Sequence, residues 1–210
     1  MNFLNRIIRV YQRKIDTVFF ELNESSEPGG VVFLGDSITD FFRINEYFHG
    51  VYVINRGISG DTTDGVLFRL PESVYQLHPA KVFLMIGTND LGENKSEQDI
   101  VHNIGQIIAA IRANCPEAKI YLESIYPVSK IRHIKVRRVI VGKRTNEKIC
   151  RINEKLERLA QENDIPYIDV YSHLVDETGN IRLEYTVEGL HLTAQGYRAV
   201  AEVLKPYVLE

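Results

Sequence analysis

The chain reads as an α/β protein whose sheet is parallel and covered by helices on both faces. Three features predict this. Short apolar runs such as Val31 to Leu34 and Lys81 to Ile86 end abruptly in glycine-bearing polar turns, the pattern of strands buried on both faces. Longer segments between them carry apolar residues at helical spacing. The two kinds of segment alternate, which favours parallel strands joined by crossover helices. Of the common doubly wound orders, 2-1-3-4-5 is the one expected. With 210 residues, 44% hydrophobic and 25% charged, one domain over residues 1–210 has material for a sizeable core.

Taken in order, the first 23 residues place Phe3, Ile7, Ile8, Tyr11, Ile15, Val18, Phe19 and Leu22 at helical spacing. Arg6, Arg9, Arg13, Lys14 and Asp16 interrupt them, so no uninterrupted apolar stretch of a signal peptide exists. An amphipathic helix packed on the domain is expected, with a membrane-surface helix as the alternative. Its exposed face would also allow a homo-oligomer. Glu24 to Gly30 is a loop by composition. Strand one is Val31 to Leu34. Strand two is Val51 to Asn55, and Thr63 to Leu70 starts a helix that Pro71 breaks or restarts. Strand three is Lys81 to Ile86. Ser96 caps a helix to about Asn114, ahead of Pro116. Strand four is Lys119 to Ser124. A helix from Asn146 to about Glu162 turns Ile149, Ile152, Leu156 and Leu159 inward. Strand five is Ile165 to Val170, and Ala194 to Leu204 closes the chain as a helix.

Chemistry gathers where strands end. Gly35-Asp36-Ser37, Asn55-Arg56-Gly57 and Gly87-Thr88-Asn89-Asp90 each follow a strand, so in a parallel sheet all three lie on the edge where ligands bind. Ser37 there is either a nucleophile awaiting a base or the cap of the next helix; on that stretch alone the two readings stand level. A hydroxyl, a free backbone N–H and a side-chain amide together form the set that acyl transfer needs. Glu188 and His191, three residues apart before the last helix, supply a base and a carboxylate to orient it.

GDS near the N-terminus, NRGISGDT, GTND and a late acid-x-x-His resemble, in order and spacing, the SGNH branch of the GDSL esterase/lipase family. The resemblance runs from Val31 to the last helix and leaves the N-terminal helix outside. It implies a flavodoxin-like three-layer α/β/α sandwich and serine hydrolysis of esters without metal or cofactor. It further implies Ser37 as nucleophile, His191 as general base and then acid, and an oxyanion hole made by the N–H groups of Ser37 and Gly57 with the amide of Asn89. The family usually has Asp where this chain has Glu188. The extra methylene shifts the carboxylate by about 1.5 Å, so Glu188 either completes the triad or only assists.

Asp36 and Arg56 are the candidate substrate-contacting residues. For Asp36 the favoured reading is structural, bonding N–H groups in its own turn, as Asp90 does, and Arg56 suits an ion pair with an acid such as Asp61 at least as well. His49, His78, His102, His133 and His173 fit no triad spacing and read as surface or packing residues. Val128 to Arg144 holds Lys130, Arg132, His133, Lys135, Arg137, Arg138, Lys143 and Arg144 and no acid. It is a solvated loop or a mobile lid that attracts anionic substrates. Without aromatic residues it is a poor surface for RNA.

A net charge of -3 gives no global basic field for nucleic acid. Cys115 and Cys150 are two idle thiols of a reducing compartment, fitting a cytoplasmic protein, and no run spans a bilayer. The expected function is hydrolysis of short acyl esters, acetyl above all, of a carbohydrate or related small alcohol. The alternatives are a lysophospholipase or thioesterase for longer chains, or a silent binding module on the same fold; intact Ser37, Gly57, Asn89 and His191 speak against the last.

Overall fold

The computed structural model describes residues 3–210, with side chains described from residue 10 onward, residue 13 excepted. In chain order the elements are α1 (Phe3–Asn23), β1 (Val31–Gly35), α2 (Ser37–Asp40), α3 (Ile44–Tyr47), β2 (Val53–Gly57), α4 (Thr63–Phe68), α5 (Leu70–Ser73), β3 (Lys81–Met85), α6 (Thr88–Glu93), α7 (Glu97–Asn114), β4 (Lys119–Glu123), α8 (Arg138–Val141), α9 (Asn146–Glu162), β5 (Tyr167–Ile168), α10 (Tyr171–Leu174) and α11 (Ala194–Leu209). The five strands are parallel, in the expected order β2-β1-β3-β4-β5.

Period-two alternation splits each strand between two cores. Val32, Leu34, Val82, Leu84, Ile120 and Leu122 face α7 and α9. Val31, Phe33, Phe83, Met85 and Tyr121 face α11 and the α2–α3 stretch. On that second face the rings of Phe33, Phe83 and Tyr121 stack across three strands at 4.9 and 4.6 Å, which fixes the strands' relative depth.

Strand five shrinks from Ile165–Val170 to Tyr167–Ile168, the two residues that pair with β4, and three further boundaries differ from the sequence reading, each for a physical reason. β2 lies two residues later than expected, because Val31 to Gly35 pair with Val53 to Gly57. Residues 63–73 form two short helices, with Pro71 in the first turn of the second, where its missing N–H costs nothing. The last helix runs past Leu204 and through Pro206, and the buried Lys81 ammonium donates to the carbonyls of Tyr207 (2.8 Å), Val208 and Glu210 at its end.

The N-terminal helix docks less broadly than its apolar stripe suggested. Phe3, Ile7 and Ile8 of that stripe lie outside the described side chains. Of the rest, Phe19 is buried, whereas Tyr11, Val18 and Leu22 are exposed. The dock is partly polar. The Arg56 guanidinium stacks on the Phe19 ring at 4.4 Å and donates to Asn23 Oδ1 at 2.7 Å. Asn23 Nδ2 in turn donates to the Glu72 carbonyl in α5.

Glu123, at the end of β4, is fully buried against the Tyr126 hydroxyl (2.6 Å), and burial raises its carboxyl from 4.5 to about 7. A folded-state pKa above the unfolded value means that the native protein binds the proton more tightly, so stability falls as pH rises from 4.5 to about 7. Glu123→Gln keeps the shape and stays neutral. It is expected to flatten the decline of Tm across that window, read by calorimetry at a series of pH values; an unchanged slope would mean that Glu123 is not its source.

Candidate active site

Ser37 sits where β1 hands over to α2. The cap of that helix is Asp36, whose Oδ1 accepts the Ile38 N–H at 2.9 Å, so the Ser37 hydroxyl is spared capping. Ser37 Oγ instead lies 3.0 Å from His191 Nε2, across 154 residues of sequence. On the far side of the ring, His191 Nδ1 lies 2.6 Å from Glu188 Oε1, which also accepts the His191 backbone N–H at 3.0 Å. The longer acid is accommodated by its turn. Thr186 and Leu192 pair as an isolated bridge, Gly189 turns at φ +104, and Glu188 folds back over the histidine that follows. Burial alone would raise the Glu188 carboxyl, but the bonds from His191 outweigh it and hold it below its ordinary value.

Separate elements carry the serine and the histidine, and α11 ties them. Tyr197 stacks on Phe42 at 5.0 Å and donates its hydroxyl to the Ile38 carbonyl at 2.8 Å. Phe41, half exposed, sets its ring 5.3 Å from that of His191.

Gly57 does not take the place expected for it. It belongs to β2, paired with Gly35, and its N–H is spent on Asn55 Oδ1 at 2.8 Å. It is glycine because a Cβ there would stand 2.1 Å from the Asp40 nitrogen. The turn beyond the strand carries the available donor: Gly60, at φ +79 and half exposed, has an N–H with no hydrogen bond among the described residues, and the same holds for the Ser37 N–H. The signal was present in GISGDT, which has two glycines three apart; only the strand register tells which one is free.

Asn89 lies beside that turn, donating from Nδ2 to the Asp61 carbonyl at 2.8 Å. Its orientation is fixed by Arg144, whose Nη2 donates to Asn89 Oδ1 at 2.8 Å; a guanidinium cannot accept, so the oxygen must face it. The second Nδ2 hydrogen stays available. Arg144 is buried, and its other donors are spent on the carbonyls of Thr88, Ile140 and Val141. As one of many cations in the segment, it gave no sign in the sequence of turning inward.

The two candidate substrate contacts fall away. Asp36 is fully buried, with its carboxyl raised to about 7 by burial, and cannot touch a ligand. Arg56 is buried against α1, and its alternative partner Asp61 pairs with Arg69 at 2.7 Å instead. Asp90 does brace its loop, accepting from the Thr63 N–H and hydroxyl. All five remaining histidines are exposed. Segment 128–144 borders the site but is no free lid: Ser129 N–H donates to the Gly189 carbonyl and Arg137 N–H to that of Glu188. A cavity of about 390 Å³ between α1 and the α2–α3 stretch, lined by Phe19, Asp40 and Phe42, lies to one side; Ser37 and His191 are not among its walls. No helix among the described residues is long and apolar enough to cross a membrane.

The profile of the GDSL-like Lipase/Acylhydrolase family matches residues 33–199. The human platelet-activating factor acetylhydrolase IB subunit alpha2 is 26% identical over 200 residues, covering 91% of this chain and 81% of the relative. Among solved structures, a Streptococcus pneumoniae protein provisionally described as a platelet activating factor superposes with a TM-score of 0.92 at 34% identity, covering 98% of this chain and 96% of that one. A GDSL-like lipase from Bacteroides thetaiotaomicron gives 0.80 at 30% identity, covering 92% and 96%.

Proposed function

The chain belongs to the GDSL-like lipase/acylhydrolase family, and from that premise we propose that it is a single-domain serine esterase of short acyl esters, acetyl above all, carried on a carbohydrate or related small alcohol. The observation that carries the mechanism is the unbroken chain from Ser37 Oγ through His191 to Glu188, at 3.0 and 2.6 Å. His191 Nε2 takes the hydroxyl proton as Ser37 Oγ attacks the ester carbonyl carbon. The N–H groups of Ser37 and Gly60 and the Asn89 amide receive the developing oxyanion. His191 returns the proton to the leaving alcohol, and a water activated by the same ring cleaves the acyl-enzyme. Glu188 holds the ring's tautomer and offsets the imidazolium charge. Free Cys115 and Cys150 support a cytoplasmic location.

The acetylhydrolase relatives support a small acyl group. Exposed Phe41 and Val187 near His191 favour the second reading, longer acyl chains of the lysophospholipid or thioester type. A series of p-nitrophenyl esters beside acetylated sugars separates the two. The first reading expects kcat/KM to be highest for acetate and to fall with chain length; a rise with chain length would replace it with the second.

Asn89→Ala is expected to lower kcat by about 10²–10³-fold with little change in KM. Arg144→Lys keeps the charge but loses the planar guanidinium that donates to Asn89 Oδ1 while its other nitrogens are held by Thr88, Ile140 and Val141. It should lower kcat in the wild-type background and add nothing in the Asn89→Ala background, since a positioning residue acts only through its client. Additive losses would give Arg144 a separate task.

A further inference from the structure

Segment 128–144 makes a cationic cap on an acidic protein. It holds seven of the chain's 25 Lys and Arg and no acid, leaving 18 cations among all 28 Asp and Glu elsewhere. Arg144 is used inside. The other six, Lys130, Arg132, Lys135, Arg137, Arg138 and Lys143, enter no ion pair among the described residues, and all but the half-buried Lys130 are exposed. Between them Ile134 and Val139 stand 88% exposed each, whereas Val128, Val136 and Val141 of the same segment are buried. The segment is thus sorted into an inward apolar anchor and an outward mixture of cations and aliphatic side chains. Its inner side rests on the turn that carries Glu188 and His191: a Cβ on Gly189 would meet the Ser129 carbonyl at 2.6 Å, with Val141 and Val136 behind it. The outward side therefore flanks the mouth of the Ser37 site, where Phe41 and Val187 are exposed as well.

We propose that this rim is a docking surface for an anionic phospholipid bilayer, and that it sets the mouth of the site against the headgroups. Anionic headgroups answer the cations, and the headgroup–acyl boundary takes up side chains such as Ile134 and Val139. A dissolved anion would use the cations and leave those two aliphatic side chains in water. Single-stranded nucleic acid would call for aromatic platforms, and the segment has none. The acidic remainder of the molecule is repelled by the same bilayer, so one orientation is selected. The attachment is reversible, as a shallow patch without a lipid anchor should be. The docking holds whichever ester is cleaved; only the placing of the mouth rests on the catalytic reading.

The test is co-sedimentation of the full chain with vesicles of phosphatidylcholine, with or without about 30% phosphatidylserine, at about 0.1 and 0.5 M salt. Binding is expected only to the anionic vesicles, and it should weaken at the higher salt. Arg132→Glu with Lys135→Glu should weaken it by at least about tenfold, and Ile134→Ser with Val139→Ser by at least about threefold. Neither pair should change Tm or kcat/KM on dissolved p-nitrophenyl acetate. Absence of binding to anionic vesicles, or equal binding to neutral ones, overturns the proposal. So does unchanged partitioning of the Ile134/Val139 variant, which would reduce the cap to a non-inserting basic patch. An increase in KM for dissolved anionic esters on charge reversal, without vesicle binding, would reassign the cap to substrate steering.

Discussion

Ser37→Ala is expected to lower kcat for p-nitrophenyl acetate by about 10⁶-fold, down to what binding and the oxyanion donors supply without a nucleophile. The fold should survive, because the capping of α2 is done by Asp36 and the hydroxyl's hydrogen bond is to His191. An unchanged circular dichroism spectrum and a Tm within a few degrees would separate lost chemistry from lost structure. Activity kept by the variant would remove the serine mechanism, and with it every role assigned to His191 and Glu188.

Glu188→Gln is expected to cost about 10³–10⁴-fold in kcat. Size and polarity are nearly preserved, so the turn closed by the Thr186–Leu192 bridge should stand. What changes is the group facing His191 Nδ1. If the amide oxygen faces the ring, the imidazolium loses the charge that offsets it. If the amide nitrogen does, the ring is forced into the tautomer that cannot accept the serine proton. The carboxyl is held ionised by the ring and backbone bonds of His191, so removing its charge matters throughout the neutral range. A loss smaller than about tenfold would mean that the carboxylate is not the ring's main partner.

Most of this arrangement was legible in the sequence because it rests on local patterns. Strands buried on both faces read as unbroken apolar runs, and three polar turns at strand ends had to share one edge. The helix from Asn146 to Glu162 was delimited by its own periodicity. What failed depends on contacts between distant residues. The pairing of β1 with β2 moved the second strand by two positions and with it exchanged Gly57 for Gly60. Nothing local marks Arg56 as pointing toward Phe19, or Arg144 as turning inward while its neighbours face water. The last helix outran its expected end at Leu204, and nothing local shows that Lys81, from β3, satisfies the carbonyls at its true end.

The separation of 154 positions between the two partners of the Ser37–His191 bond has a consequence for the newborn chain. At about 5–20 residues per second, the ribosome adds the histidine roughly 8 to 30 seconds after the serine. Throughout that interval the β1–α2 elbow can form, yet the hydroxyl has no base. A partly translated molecule that still lacks the histidine is therefore inert toward esters around it, and hydrolytic power arrives in a single step once that residue joins the fold.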